Sequence, residues 1–250
     1  MIRERIYILG SLIDKVNLNE ALKKVENFIK DGKPRHIITA NAEIIYQGIK
    51  DKKLSRTLNK ADLVTADGAG VVWASRYLDN PLEERVTGID FLYKICEEAQ
   101  KQGWTLYFLG AAPGVAEKAV LKVLELYPGC QIAGYENGYF SQEEEPQIIE
   151  NIKKAKPDIL FVAMGAPKQE FWIREHLQEL EVPVCMGVGG SFDVLAGNVQ
   201  RAPEWMQKNN LEWLFRLYQE PSRWRRMLAL PKFVLKVVGQ RAKKEDKESE

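Results

Sequence analysis

The chain has 250 residues, with 36 basic against 35 acidic side chains, 45% hydrophobic and 28% charged residues. That balance excludes wholesale disorder, and a chain of this length makes one large domain or two small ones whose core needs no disulfides. The net charge of +1 averages unlike parts: residues 1–207 hold 25 basic and 29 acidic residues, residues 208–244 hold 10 and 2, and residues 245–250 hold one and four. A mildly acidic body thus precedes a strongly basic segment.

In chain order, the first periodic segment is a helix over 21–30, with Leu22, Val25, Phe28 and Ile29 on one stripe and Gly32-Lys33-Pro34 stopping it. Strands follow at 35–38 and 62–66, then a helix over 68–77 and a strand at 105–109. A helix over 115–127 ends at Pro128-Gly129, and a weaker strand spans 130–135. The helix over 143–156 has acids in its first turn and lysines in its last, which suits the helix dipole. Strands at 158–164 and 182–188 complete the series. Residues 205–226 read as helical and rich in aromatics, broken by Pro221, and Pro231 opens a last amphipathic helix.

Apolar runs alternating with helical segments imply a Rossmann-like α/β fold, a mostly parallel sheet with helices on both faces, here followed by a basic helical appendage. The expected division is a catalytic domain over 1–200 and an appendage over 201–250. In such sheets ligands bind beyond the carboxyl ends of the strands. Those ends carry Thr39-Ala40-Asn41-Ala42-Glu43, Asp67-Gly68-Ala69-Gly70, Gly110-Ala111-Ala112-Pro113-Gly114, Gly165-Ala166-Pro167-Lys168-Gln169-Glu170 and Gly189-Gly190-Ser191-Phe192-Asp193. Small residues and prolines at helix starts leave N–H groups open to anions, which points to a nucleotide or diphosphate pocket, although single glycine corners also serve simply as turns.

Neither GxGxxG nor GxxxxGK[ST] occurs, which disfavours a dinucleotide dehydrogenase or a P-loop kinase. No DxD pair exists to clamp a divalent ion, and His36 and His176 have no cysteine or histidine near them. No GxSxG elbow or Cys–His spacing supports a covalent mechanism. Cys96, Cys130 and Cys185 read as small buried residues in a reducing compartment. Asp67, at the end of an apolar strand, is either a base aimed into the cleft or the N-cap of the next helix. Arg85 either braces a diphosphate through its planar fork or forms a surface ion pair.

The longest uncharged run, Gln102 to Ala116, has 15 residues and three glycines, short of the roughly 20 apolar residues of a spanning helix. The expectation is a cytoplasmic protein able to lie on the inner face of the membrane. Leu230, Phe233, Val234, Val237 and Val238 form an apolar stripe flanked by Arg225, Arg226, Lys232, Lys236 and Arg241. With the nearby tryptophans this suits an anionic membrane surface, and packing on the body is the alternative. No nucleic-acid motif accompanies the basic segment, so nucleic acid is not an expected partner.

Taken together, these strings resemble the WecG/TagA/CpsF glycosyltransferase family. The resemblance covers about residues 7–227. It rests on the strand-end strings above, on Arg85-Val-Thr-Gly88-Ile-Asp90 and Asn137-Gly138-Tyr139-Phe140, and on Arg201-Ala-Pro203-Glu-Trp205 with Glu212-Trp213. It implies metal-independent, inverting transfer of N-acetylmannosamine from UDP-ManNAc to GlcNAc on undecaprenyl diphosphate, a step of wall teichoic acid linkage-unit synthesis, with no cofactor. It implies Asp67 as the base, with Thr39, Asn41 and Gln169 lining the sugar pocket and Arg85 at the diphosphate. Gly110 and Gly114 would hold UDP, with Asp193 also at the substrate. Arg216, Arg223 and Arg226 would meet the lipid diphosphate, and self-association into a homo-oligomer is plausible. The alternatives are another UDP-sugar donor, N-acetylmannosaminuronic acid or glucose, or a non-enzymatic nucleotide-binding module with a basic interaction tail.

Overall fold

The computed structural model describes residues 4–209, 211–221 and 224–248. Six parallel strands, β3 (Arg35–Ala40), β4 (Leu63–Ala66), β5 (Thr105–Gly110), β6 (Gln131–Glu136), β7 (Ile159–Ala163) and β8 (Val184–Gly187), form one sheet in the order β4-β3-β8-β7-β5-β6. A hairpin of β1 (Arg5–Ile8) and β2 (Ser11–Asp14) precedes them, a pair absent from the sequence reading, since polar or half-exposed residues interrupt its apolar ones.

Alternation along the strands divides the core. Ile37, Leu63, Phe108, Phe161 and Met186 face one way, toward α1 (Leu18–Asp31), α5 (Gly88–Gln102), α6 (Val115–Leu126) and α9 (Ser191–Leu195). Ile38, Val64, Leu109, Leu160 and Cys185 face the other, toward α2 (Ala42–Lys50), α3 (Lys52–Lys60), α4 (Ala69–Tyr77), α7 (Glu145–Ala155) and α8 (Lys168–Leu180). Being buried on both faces makes these strands continuous apolar runs, which is why they were legible in the sequence. All three cysteines are buried and free, with the Cys130 thiol donating to the Cys96 carbonyl.

Successive chain segments leave neighbouring strands toward opposite faces at two places. After β5 the chain enters α6 on the first face, while after β7 it enters α8 on the second. After β3 it enters α2 on the second face, while after β8 it enters α9 on the first. Such switch points open crevices at the carboxyl edge of the sheet.

The segment read as one broken helix is three short ones, α10 (Glu204–Lys208), α11 (Glu212–Gln219) and α12 (Trp224–Met227). The last helix, α13 (Ala229–Glu248), starts two residues before Pro231, so proline lies within its first turn rather than opening it. This helix packs on α2 and α4: Phe233 and Val237 are completely buried in the core cluster around β3 and β4. The Gln240 side chain accepts from Leu9 N–H at 2.8 Å and donates to the Tyr7 carbonyl at 3.0 Å, tying α13 to the N-terminal hairpin. Arg241, expected among the lipid-facing cations, instead bonds the Tyr77 carbonyl at 2.6 Å and pairs with Asp79 at 3.2 Å. Part of the stripe therefore belongs to the body, while Val234, Leu235 and Val238 remain outside. Among the described residues no helix is long and apolar enough to cross a membrane.

Candidate active site

Parallel pairing of Thr39 with Thr65 and of Ala40 with Ala66 brings the ends of β3 and β4 together. Asp67 follows, and its N–H donates to the Ala40 carbonyl at 2.8 Å. The next loop folds back over this edge: Val86 N–H donates to the Ala66 carbonyl at 2.9 Å, and the Thr65 hydroxyl donates to the Val86 carbonyl at 3.2 Å. These two bonds set Arg85 and Gly88 on either side of Asp67. The N-cap of α4 is Gly68, with no side-chain cap, so the capping role left open for Asp67 is not the one it takes. Its Oδ2 instead accepts from Gly88 N–H at 3.4 Å, at the start of α5, where a helix N-terminus favours negative charge. A Cβ placed on Gly88 would lie 3.1 Å from Thr39 Oγ1 and 3.9 Å from Asp67 Oδ2, so both oxygens border the same space. Burial pushes the Asp67 carboxyl up to about 6, opposed by Arg216, the Gly88 N–H and Arg85 and reinforced by Glu212. That places the group in the range where a carboxylate is a useful base near neutrality.

The appendage supplies one wall. On α11, Glu212 and Arg216 stand one turn apart and therefore on the same face. Glu212, nearly buried, reaches Arg85 Nη2 at 3.4 Å and Arg201 Nε at 3.7 Å, while Arg201 Nη2 holds Asp90 at 2.6 Å. The Gln219 amide exchanges hydrogen bonds of 3.1 and 2.9 Å with the Gln200 main chain. Arg85 thus forms an ion pair, as one sequence alternative held, but with the appendage and beside Asp67.

Gln169 is buried at the β7–β8 gap. Its Oε1 accepts from Gly165 N–H at 3.1 Å and Gly189 N–H at 3.0 Å, and its Nε2 donates to Glu170 at 2.8 Å. A Cβ on Gly187 would fall 2.6 Å from Gln169 Nε2, so glycine there makes room for the amide. Burial raises the Glu170 carboxyl to about 7, and its Oε2 is buried without a partner among the described residues. Gln169→Ala leaves two main-chain donors unsatisfied, about 1–3 kcal/mol each if buried. The expected outcome is a lower unfolding temperature together with weaker donor binding, read by calorimetry; an unchanged value for both removes the clamp.

Gly110 (φ 132°) approaches β7 so closely that a Cβ would lie 2.5 Å from the Ala163 carbonyl oxygen. Gly114 (φ 79°) is the N-cap of α6. Beside this corner lies a recess of about 140 Å³ lined by Pro113, Gly114, Glu117, Tyr135, Glu136 and Asn137. Asn41 caps α2, its Oδ1 accepting from Ile44 N–H at 3.0 Å. Asp193 lies on α9, facing Asn198 Nδ2 at 3.4 Å, and has no described contact with the Asp67 cluster. Thr39, Asp67, Arg85 and Arg216 are thus brought together, while Gly110, Gly114 and Asp193 belong to the other side of the cleft. Arg223 and the Arg226 side chain lie outside the described residues. Sequence reasoning gave no role to Glu212, Arg201 or the Tyr135–Glu136 recess. Arg201 and Glu212 were signalled only by membership in the recognised strings, and Tyr135 and Glu136 only by the weak strand they end, since each acts through a partner distant in sequence. His36 is fully buried on β3, its imidazole pushed down to about 3 by burial and then Arg174, and His176 pairs with Glu179 on α8.

The fold and site define a parallel α/β enzyme with its polar groups gathered at the carboxyl edge of the sheet. The family model described as "Glycosyl transferase WecG/TagA/CpsF family" matches residues 6–247, and the chain belongs to this glycosyltransferase family. It is 38% identical over 229 residues, 91% of this chain and 89% of the relative, to the N-acetylglucosaminyldiphosphoundecaprenol N-acetyl-beta-D-mannosaminyltransferase of Bacillus subtilis strain 168. Relatives of the same name match from Bacillus spizizenii W23 (37%, covering 84% of this chain and 81% of the relative) and Staphylococcus aureus MW2 (34%, covering 96% and 94%).

Proposed function

We propose that the enzyme transfers N-acetylmannosamine from UDP-ManNAc to the 4-hydroxyl of GlcNAc on undecaprenyl diphosphate, inverting the anomeric centre without a metal ion. The observation that carries this reading is the Asp67 carboxylate. It is released from helix capping, held near neutrality in its titration, and flanked by Thr39, Arg85 and Arg216. Asp67 takes the acceptor hydroxyl proton as that oxygen attacks the anomeric carbon. The bond from that carbon to the UDP oxygen breaks on the opposite side, and its electron pair leaves with the diphosphate. Arg85 and Arg216 offset the charge that develops there, the role a metal clamp would otherwise fill.

The donor nucleotide fits the β5–α6–β6 unit. The Gly110–Gly114 corner meets phosphate, and Glu136, at the end of β6, is placed to accept the ribose hydroxyls, as acids do at that position in nucleotide folds. β5 and β4, which Asp67 follows, are four strand spacings apart, about 19 Å, so the nucleotide sugar lies extended along the strand ends from the recess toward Asp67. The lipid acceptor enters from the appendage, where Trp205, Trp213, Leu214, Tyr218, Trp224 and Leu228 are exposed beside the basic residues, suited to the inner membrane face. The relatives' names describe the same acceptor and sugar.

The test is UDP release in EDTA with a lipid-diphosphate GlcNAc acceptor and a panel of UDP-ManNAc, UDP-glucose and UDP-N-acetylmannosaminuronic acid. UDP-ManNAc is expected to be turned over fastest. Preference for another donor overturns the sugar assignment, and silence until a divalent ion is added overturns the metal-free reading. Flotation on anionic vesicles tests the membrane face, with retention in the bottom fraction as the contrary result.

A further inference from the structure

Asp67 lies among arginines yet makes no ion pair with any described residue. An arginine within a few ångströms ordinarily lowers a carboxyl by about 1–3 pH units and would leave it a weak base. The groups facing Asp67 are Thr39 from β3, Arg85 from the returning loop, the Gly88 N–H of α5, and Glu212 and Arg216 from α11. Of these, Arg85 is already engaged: the nearly buried Glu212 carboxylate holds it through Oε2 and reaches Arg201 through Oε1. Arg201 is anchored in turn by Asp90, whose Oδ2 receives the Thr87 hydroxyl at 2.6 Å one residue before Gly88. A connected set of charges, Asp90–Arg201–Glu212–Arg85, therefore runs beside the Asp67 carboxylate and stops short of it. We propose that Glu212 is a positioning residue for the transfer reaction: by bridging Arg85 and Arg201 it holds the Arg85 guanidinium off Asp67 and docks α11 so that Arg216 is brought over the cleft.

Arg85 keeps its other donors for a diphosphate, because a guanidinium offers five N–H bonds in a fixed fork and Glu212 takes only one edge. The appendage thus sets the charge state of the site it covers, and the sign of each charge on α11 matters separately. Glu212 adds to the rise of the Asp67 carboxyl, while Arg216 and Arg85 oppose it. This inference rests on Asp67 being the base.

The test is the pH dependence of kcat/KM for UDP release by the full chain, since that parameter reports groups of the free enzyme. Glu212→Gln is expected to move the acid limb down by about one pH unit and to lower the plateau, because a weaker base remains. Arg201→Gln removes a cation that offsets the Glu212 charge, so its limb is expected to move up, and an unmoved limb counts against the proposal. Opposite responses from the two partners of one ion pair are not what a merely structural contact gives. An unmoved limb in Glu212→Gln with rates lowered equally at every pH, or a downward shift in both variants, overturns the proposal. Thermal unfolding of both variants is measured alongside, and the Arg201→Gln limb remains decisive if Glu212→Gln does not fold. Asp67→Asn separates the two levels. If it is inactive while the Glu212→Gln limb stays fixed, only this inference fails; if it keeps the wild-type rate and limb, the base assignment fails first.

Discussion

Asp67→Asn is expected to lower UDP release by about 10²–10⁴-fold, the range general-base removal commonly costs, while the protein stays folded. Asparagine keeps the shape and can still accept from Gly88 N–H, but it takes up no proton. The stability expectation follows from the direction of the titration shift. Burial, the largest influence, disfavours the charged carboxylate and pushes it up to about 6, so a neutral isostere costs no stability at neutral pH. The same value sets the wild-type pH profile. A base works ionised, so activity is present above about pH 6 and lost as the pH falls through it. The measurement is the rate of UDP release against pH for both proteins, with unfolding temperatures alongside. A variant with the wild-type rate would remove Asp67 from the chemistry.

The second large effect is on stability. Phe233→Ala is expected to cost roughly 3–5 kcal/mol, as for other buried phenylalanines, and about 2–4 °C of unfolding temperature per kcal/mol in a chain of this size. Phe233 is completely buried between α13 and the body, and a Cβ added to Gly70, in the first turn of α4, would lie 4.0 Å from its ring. The control is Leu235→Ala on the same helix: Leu235 is 72% exposed and the change should fall within about 0.5 kcal/mol. Equal, small effects at both positions would mean that α13 is not part of the body's core.

The parallel sheet was readable because every strand but the partly exposed β6 is a buried apolar run; β7, read as 158–164, is Ile159–Ala163. The hairpin over residues 5–14 was not, since its strands are interrupted by polar and exposed residues and are held by β4, α4 and Gln240 far away. The helix over Gly88–Gln102 was also absent from the sequence reading, although Thr87 caps it. Thr39, Asn41, Asp67 and Gln169 could be named as candidate site residues from strand-end position and family strings. What each does locally could not: Asn41 caps α2, and the Gln169 amide clamps Gly165 to Gly189.

The basic segment shows the division most plainly. Its net charge, its tryptophans and the stripe at helical spacing were all present in the linear chain, because composition and a 3.6-residue period are local properties. Which side of each helix meets the body is a long-range property. Only the packed structure turns Phe233, Val237 and Arg241 inward, leaves Leu235 and Val238 outward, pairs Glu212 with Arg85 and brings Arg216 near Asp67. The chain by itself determined that this is a parallel α/β glycosyltransferase with an amphipathic, basic end. Tertiary structure decided how that end's charges are divided between the body and the cleft, since an ion pair or a buried ring exists only where two distant segments meet.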